Sequence, residues 1–114
     1  MDERIRTFLF DVLSAIVEIE EFLSETDDFA IYRNDTKTKK AVERNLEIVG
    51  EAVNRILRIN PEFELSRAKE IVGTRNRIVH GYDAISNEVI WSIVCRDLPV
   101  LKREVKTHLG ELDY

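Results

Sequence analysis

Apolar residues recur along most of this chain at steps of three and four, the spacing that gathers side chains onto one stripe of an α-helix. From Ile5 the positions Phe8, Leu9, Val12, Ile16, Ile19 and Leu23 predict a first helix over 3–25. Residues 26–35 hold no sustained apolar period and read as a connection, with a short turn around Phe29–Tyr32 and Thr36 as the cap of the next helix. A second helix, about 37–59, carries Val42, Leu46, Val49, Val53 and Ile56 on one face and Ala41, Ile48, Ala52 and Ile59 on a neighbouring one. Two apolar faces need two partners. The first suits the core, and the second, small-residued around Gly50 and Ala52, suits another subunit.

Asn60-Pro61 ends the second helix, because the residue before proline is pushed out of the α region. Ser66 then stands where it can cap a third helix over 67–80, whose apolar positions are Ala68, Ile71, Val72, Ile78 and Val79. Gly81 marks its C-terminus and Tyr82 begins a loop. Ser86 or Asn87 caps a last helical region in which Val89, Ile93, Leu98, Leu101, Val105 and Leu109 hold the helical period. Pro99 interrupts that region and predicts a kink near Asp97–Leu98. No alternating Val/Ile-rich run supports a sheet. The expectation is an all-α, up-and-down bundle of four to five helices, one domain over residues 1–114, with its last helix kinked at Pro99.

Composition narrows the class. With 44% hydrophobic and 34% charged residues, the 114-residue chain can bury one core and is neither disordered nor fibrous. No apolar run approaches the roughly 20 residues needed to cross a bilayer. Asp2 and Glu3 stand where a signal peptide wants positive charge, so a soluble cytoplasmic protein with no membrane contact is expected. The lone Cys95 forms no internal disulfide and has no zinc-site companion, so no metal and no cofactor is expected. The net charge of −5 argues against nonspecific wrapping of nucleic acid. The charge is uneven, however. Residues 2–28 hold nine acids and two bases, 33–44 hold five bases and two acids, and 67–82 hold four bases and one acid. Such an arrangement focuses an anionic ligand on one region; solvated helix faces with uneven charge are the plainer account.

The chemistry concentrates in Gly73-Thr-Arg-Asn-Arg-Ile-Val-His-Gly-Tyr82. Arg75 offers a permanently charged fork suited to a phosphate and to its extra charge in a transition state. His80 offers a proton acceptor or donor near neutral pH. Asn76 and His80 are four apart and share a helix face, whereas Arg75 lies about 140° around a regular helix from His80. The two converge more easily if the helix end is distorted, or if two copies meet across a twofold axis and pool both side chains. In the plainer alternative Arg75 and Arg77 pair with Glu70 or with acids of the first helix, and His80 caps the last carbonyls of its own. Trp91 and Cys95 read as packing residues, His108 as exposed, and Glu43, Glu47 and Glu51 as a ridge without the histidine companion of a carboxylate metal site.

The segment Arg75-Asn-Arg-Ile-Val-His80-Gly-Tyr82 resembles the Arg-x4-His-x-Tyr signature of the HepT-like branch of the HEPN superfamily. Ala41-Val-Glu-Arg-Asn-Leu-Glu-Ile-Val-Gly-Glu-Ala52 resembles that family's second helix, and Val89-Ile-Trp-Ser-Ile-Val-Cys-Arg-Asp-Leu-Pro-Val-Leu101 its final one. Gly73-Thr74 departs from the bulkier residue often found before the arginine. The resemblance implies a helical homodimer that is the toxin of a toxin–antitoxin pair: a metal-independent endoribonuclease, neutralised by a minimal nucleotidyltransferase that transfers AMP to a tyrosine. It makes Arg75 and His80 the catalytic pair, Asn76 the supporting polar residue and Tyr82 the modified tyrosine, with Arg77 a candidate for holding the substrate phosphate. A noncatalytic helical adaptor that binds a nucleotidyltransferase and its substrate is the competing reading.

Overall fold

The computed structural model describes residues 1–25, 28–80 and 85–110. Among the described residues six α-helices follow one another: α1 (Glu3–Phe22), α2 (Phe29–Asn34), α3 (Thr36–Ile59), α4 (Ala68–His80), α5 (Asn87–Ser92) and α6 (Leu98–His108). A π-helical turn, Ile93–Asp97, joins the last two. No strand occurs among the described residues.

The helix ends follow their local hydrogen bonds. The Asp2 carboxylate accepts from the Arg4 N–H and starts α1, and Asp28 does the same for α2 through Ala30. α1 stops at Phe22 rather than reaching residue 25. There the Leu23 N–H folds back on the carbonyls of Ile19 and Glu21, and the Ser24 hydroxyl donates to the Glu21 carbonyl. Thr36 is the first residue of α3 and not its cap. Asp35 takes that role, its carboxylate accepting both the N–H and the hydroxyl of Thr38 at 3.1 and 2.7 Å. α4 starts at Ala68, and the Ser66 N–H donates to both oxygens of Glu104 on α6. Ser86 caps α5 as expected, accepting from the Val89 N–H.

Pro99 acts earlier than a simple kink at its own position. In an unbroken α-helix its ring would meet the carbonyl of Cys95, four residues back. Instead the backbone widens, and the Leu98 N–H reaches the carbonyl of Ile93, five residues back. α6 then restarts with Pro99 in its first turn, where a missing N–H costs nothing. The widened turn leaves Cys95 exposed, correcting its expected place in the core.

α3 is the central element, packed on α1 along one side and on α4 along the other, while α6 covers α1. Its stripe of Val42, Leu46, Val49, Val53 and Ile56 is fully buried and meets Leu9, Val12 and Ile16 of α1 in one apolar cluster. The assembly is a slab only 18 Å thick, about two helix layers. Phe29, Tyr32 and Trp91 close one end as an aromatic cluster, with ring centroids 5.0 to 6.5 Å apart, which gives Trp91 its packing role. At another edge His108 Nε2 donates a 2.8 Å hydrogen bond to the Glu64 carbonyl and the ring lies against Phe63, so it is a half-buried structural residue rather than an exposed one.

Candidate active site

α4 turns its first half into the core through Ala68, Ile71 and Thr74, and its last turns outward. The change of character begins at Arg75. Here α4 crosses α3 at Gly50, so closely that a Cβ on that glycine would overlap the Cβ of Arg75 and lie 2.7 Å from its Cγ. Only glycine lets the arginine stem pass. Part of the small-residue face of α3 is thus occupied by α4 of the same chain.

Having crossed Gly50, the guanidinium meets two partners. Its Nη2 forms an ion pair with Glu51 Oε2 at 2.8 Å, and its Nη1 donates to Asn76 Oδ1 at 2.9 Å. The other oxygen of Glu51 accepts from Arg55 Nε at 2.8 Å, so one carboxylate bridges two arginines. The hydrogen bond from Arg55, together with the Arg75 charge, holds the Glu51 carboxyl below the usual carboxylate range. Among the arginines of this face Arg75 is the least exposed, its side chain 25% accessible against 57% for Arg55 and 71% for Arg44. A guanidinium held by partners on two helices has lost most of its rotational freedom before any ligand arrives.

Arg75 opens onto a groove of about 320 Å³. Phe8 and Asp11 form one wall, Arg44, Glu47, Glu51 and Arg55 line the floor along α3, and Arg75 and Val79 form the α4 side. His80, next to Val79, is exposed and is the final residue of α4. The helix runs regularly to its end, so Asn76 and His80 stand one turn apart on one face, and Arg75 leaves the axis about 140° from His80. The distortion that would swing the two together within one chain does not occur in α4. Arg77 is exposed on the final turn. Gly81 and Tyr82 lie outside the described residues.

Glu51 is the residue that sequence reasoning misplaced. It stood in the carboxylate ridge Glu43, Glu47 and Glu51, but the ridge is split by its partners: Glu47 pairs with Arg44, and Glu51 with Arg55 and Arg75. Arg75 takes a partner on α3, not Glu70 or an acid of α1. The sequence did hold a signal, a glycine inside a long helix, unfavourable by about 1 kcal/mol relative to alanine unless close packing requires it.

A profile of the family described as Ribonuclease HepT-like matches residues 12–108. The chain belongs to the HepT-like ribonuclease family. Relatives span nearly their whole length with it. A protein of Methanocaldococcus jannaschii named as a candidate RNase is 35% identical over 103 residues, covering 90% of this chain and 94% of that protein. The protein named probable ribonuclease HepT in Thermococcus cleftensis is 37% identical over 103 residues, covering 85% of this chain and 88% of that one. No solved structure matches. As in the HepT-like bundle that the motif implied, the described chain is entirely helical, and no described helix is long and apolar enough to cross a membrane.

Proposed function

We propose that the chain is a metal-independent endoribonuclease in which Arg75 and His80 act on one phosphodiester. The observation that carries this reading is the restrained Arg75 guanidinium, set by Gly50, Glu51 and Asn76 at the edge of an open groove five residues before an exposed imidazole. Family membership supports it independently.

In the proposed reaction the RNA supplies its own nucleophile. The 2′-oxygen attacks the adjacent phosphorus, a 2′-O–P bond forms, the P–O5′ bond breaks, and the products are a 2′,3′-cyclic phosphate and a 5′-hydroxyl. One proton leaves the 2′-oxygen and one reaches the departing 5′-oxygen. His80 carries one of these transfers, and Arg75 stabilises the charge that builds on the non-bridging oxygens. Arg77 holds the substrate phosphate, and Asn76 keeps the Arg75 fork in place.

The regular helix leaves Arg75 and His80 on different sides of α4, which a homodimer resolves if each copy lends one of them to a shared cleft, with a second imidazole for the second proton transfer. We extend the same reading to biology: the chain acts as a toxin, and a minimal nucleotidyltransferase neutralises it by transferring AMP to Tyr82, adding a bulky anion beside the phosphate site. Arg75→Ala and His80→Ala should each lower RNA cleavage by about 10²–10⁴ at unchanged helicity. Wild-type activity in either variant would refute the assignment. Label from ATP persisting in Tyr82→Phe after incubation with the nucleotidyltransferase would refute the choice of tyrosine.

A further inference from the structure

The groove at Arg75 does not end there. A second depression, of about 370 Å³, is lined by Arg4, Phe8, Arg55, Arg58 and Ile59, and shares Phe8 and Arg55 with the first. The two are therefore continuous along α3. Arg44, Glu51, Arg55 and Arg58 are spaced by seven, four and three residues, which keeps them on one helix face over about 21 Å.

We propose that this continuous groove is an extended subsite for single-stranded RNA, in which Arg55, Arg58 and Arg4 hold phosphates flanking the one at Arg75. The inference rests on the ribonuclease reading and adds where the rest of the substrate lies. Three observations carry it. Five of the chain's eleven arginines and none of its six lysines line the groove, and arginine is the cation whose planar fork matches a phosphate. The carboxylates that line the groove, Asp11, Glu47 and Glu51, lie at the end near Arg75, where Glu47 and Glu51 are committed to ion pairs; none lines the Arg4–Arg58 end. Arg4 there is paired with Asp2, while Arg58 has no ion pair among the described residues. Finally, Phe8 lies at the junction with the Arg55 guanidinium 5.9 Å from its ring centre, the pairing of aromatic and cation that accepts a stacked base without regard to sequence.

The test uses the full chain and fluorescent 2′-O-methyl RNA of four and twelve nucleotides, which lacks the attacking hydroxyl and so stays intact. Combining Arg58→Ala with Arg4→Ala should weaken binding of the twelve-mer about tenfold and of the four-mer less than twofold. The slope of log K against log salt for the twelve-mer should fall by about 0.7 per arginine. Combining Arg103→Ala with Lys106→Ala, an equal loss of charge on α6, should leave both unchanged. On cleavable RNA the loss should fall on KM. Equal weakening for both lengths, no weakening at all, or an altered oligomeric state of the double variant at unchanged RNA affinity would overturn the subsite, the last outcome making this face a contact between copies. If wild type cleaves and Arg75→Ala does not while the double variant keeps its KM, only the subsite falls; if wild type neither binds nor cleaves RNA, the ribonuclease reading falls with it.

Discussion

Two seams run along α3 and are closed by different chemistry. Toward α1 the contact is aliphatic: Leu46, Val49 and Val53 interlock with Leu9, Val12 and Ile16, and none of them is more than 2% exposed. Toward α4 the helices approach over a glycine, and what passes through the gap is the stem of Arg75, whose charged end is then fixed by Glu51 and Asn76. The first seam removes apolar surface from water, about 25 cal/mol per Å², and needs no particular orientation of any one group. The second gives up that gain locally and obtains a cation whose direction is set. Stability and proposed activity are thereby placed on opposite sides of one helix.

That separation can be broken or sharpened by substitution. Arg75→Ala should cost about 10²–10⁴ in cleavage rate and shift the denaturation midpoint little, since the ion pair it removes still meets solvent and contributes little to stability. Leu46→Ala should do the reverse, losing about 2–5 kcal/mol of stability in chemical denaturation while cleaving RNA normally below its melting temperature. If Leu46→Ala abolished activity while still folded, the two seams would not be independent.

Gly50→Ala tests the crossing itself. Its methyl group must displace Arg75, so about 1–3 kcal/mol of stability and most of the activity should be lost together. An active Gly50→Ala enzyme would show that the placement of Arg75 is not set there. Glu51→Gln has a smaller effect with a definite pH signature. Because the Glu51 carboxyl titrates below its ordinary value of 4.5, its ionised form stabilises the fold fully above that pH, and the contribution is lost as pH falls through the lowered value. The melting temperatures of wild type and Glu51→Gln should differ at pH 7 and converge as pH falls through the lowered Glu51 value. Parallel curves would exclude the linkage. Smallest of all, Tyr32→Phe should be neutral or stabilise by about 1 kcal/mol, because the Tyr32 hydroxyl is fully buried with no hydrogen-bond partner among the described residues. A clear loss of stability would mean that the hydroxyl does have a partner.

The aliphatic seam was legible in the sequence because its signal is periodic: every residue of the α3 stripe read from spacing is buried. The caps were legible to within a residue, and Asp35 displaced Thr36 because a carboxylate can accept from both groups of Thr38 at once. The widened turn before Pro99 was not, since proline announces a lost hydrogen bond but not how the preceding carbonyls rearrange. At the candidate site the arginine, asparagine and histidine could be picked out from residue type and spacing. Glu51 could not, because it reaches Arg75 only through the packing of two helices, and a carboxylate four residues before Arg55 already has a local explanation.

The central claim is that Arg75 and His80 break a phosphodiester by way of its own 2′-hydroxyl. It is tested most directly by single-turnover cleavage of one defined RNA, with the fragment ends read by mass spectrometry, for wild type beside His80→Ala and Arg75→Ala. Fragments ending in a 2′,3′-cyclic phosphate and a 5′-hydroxyl, formed by wild type and at least a hundredfold more slowly by both variants, are the expected result. Fragments with 3′-hydroxyl and 5′-phosphate ends, or wild-type rates from either variant, would contradict it.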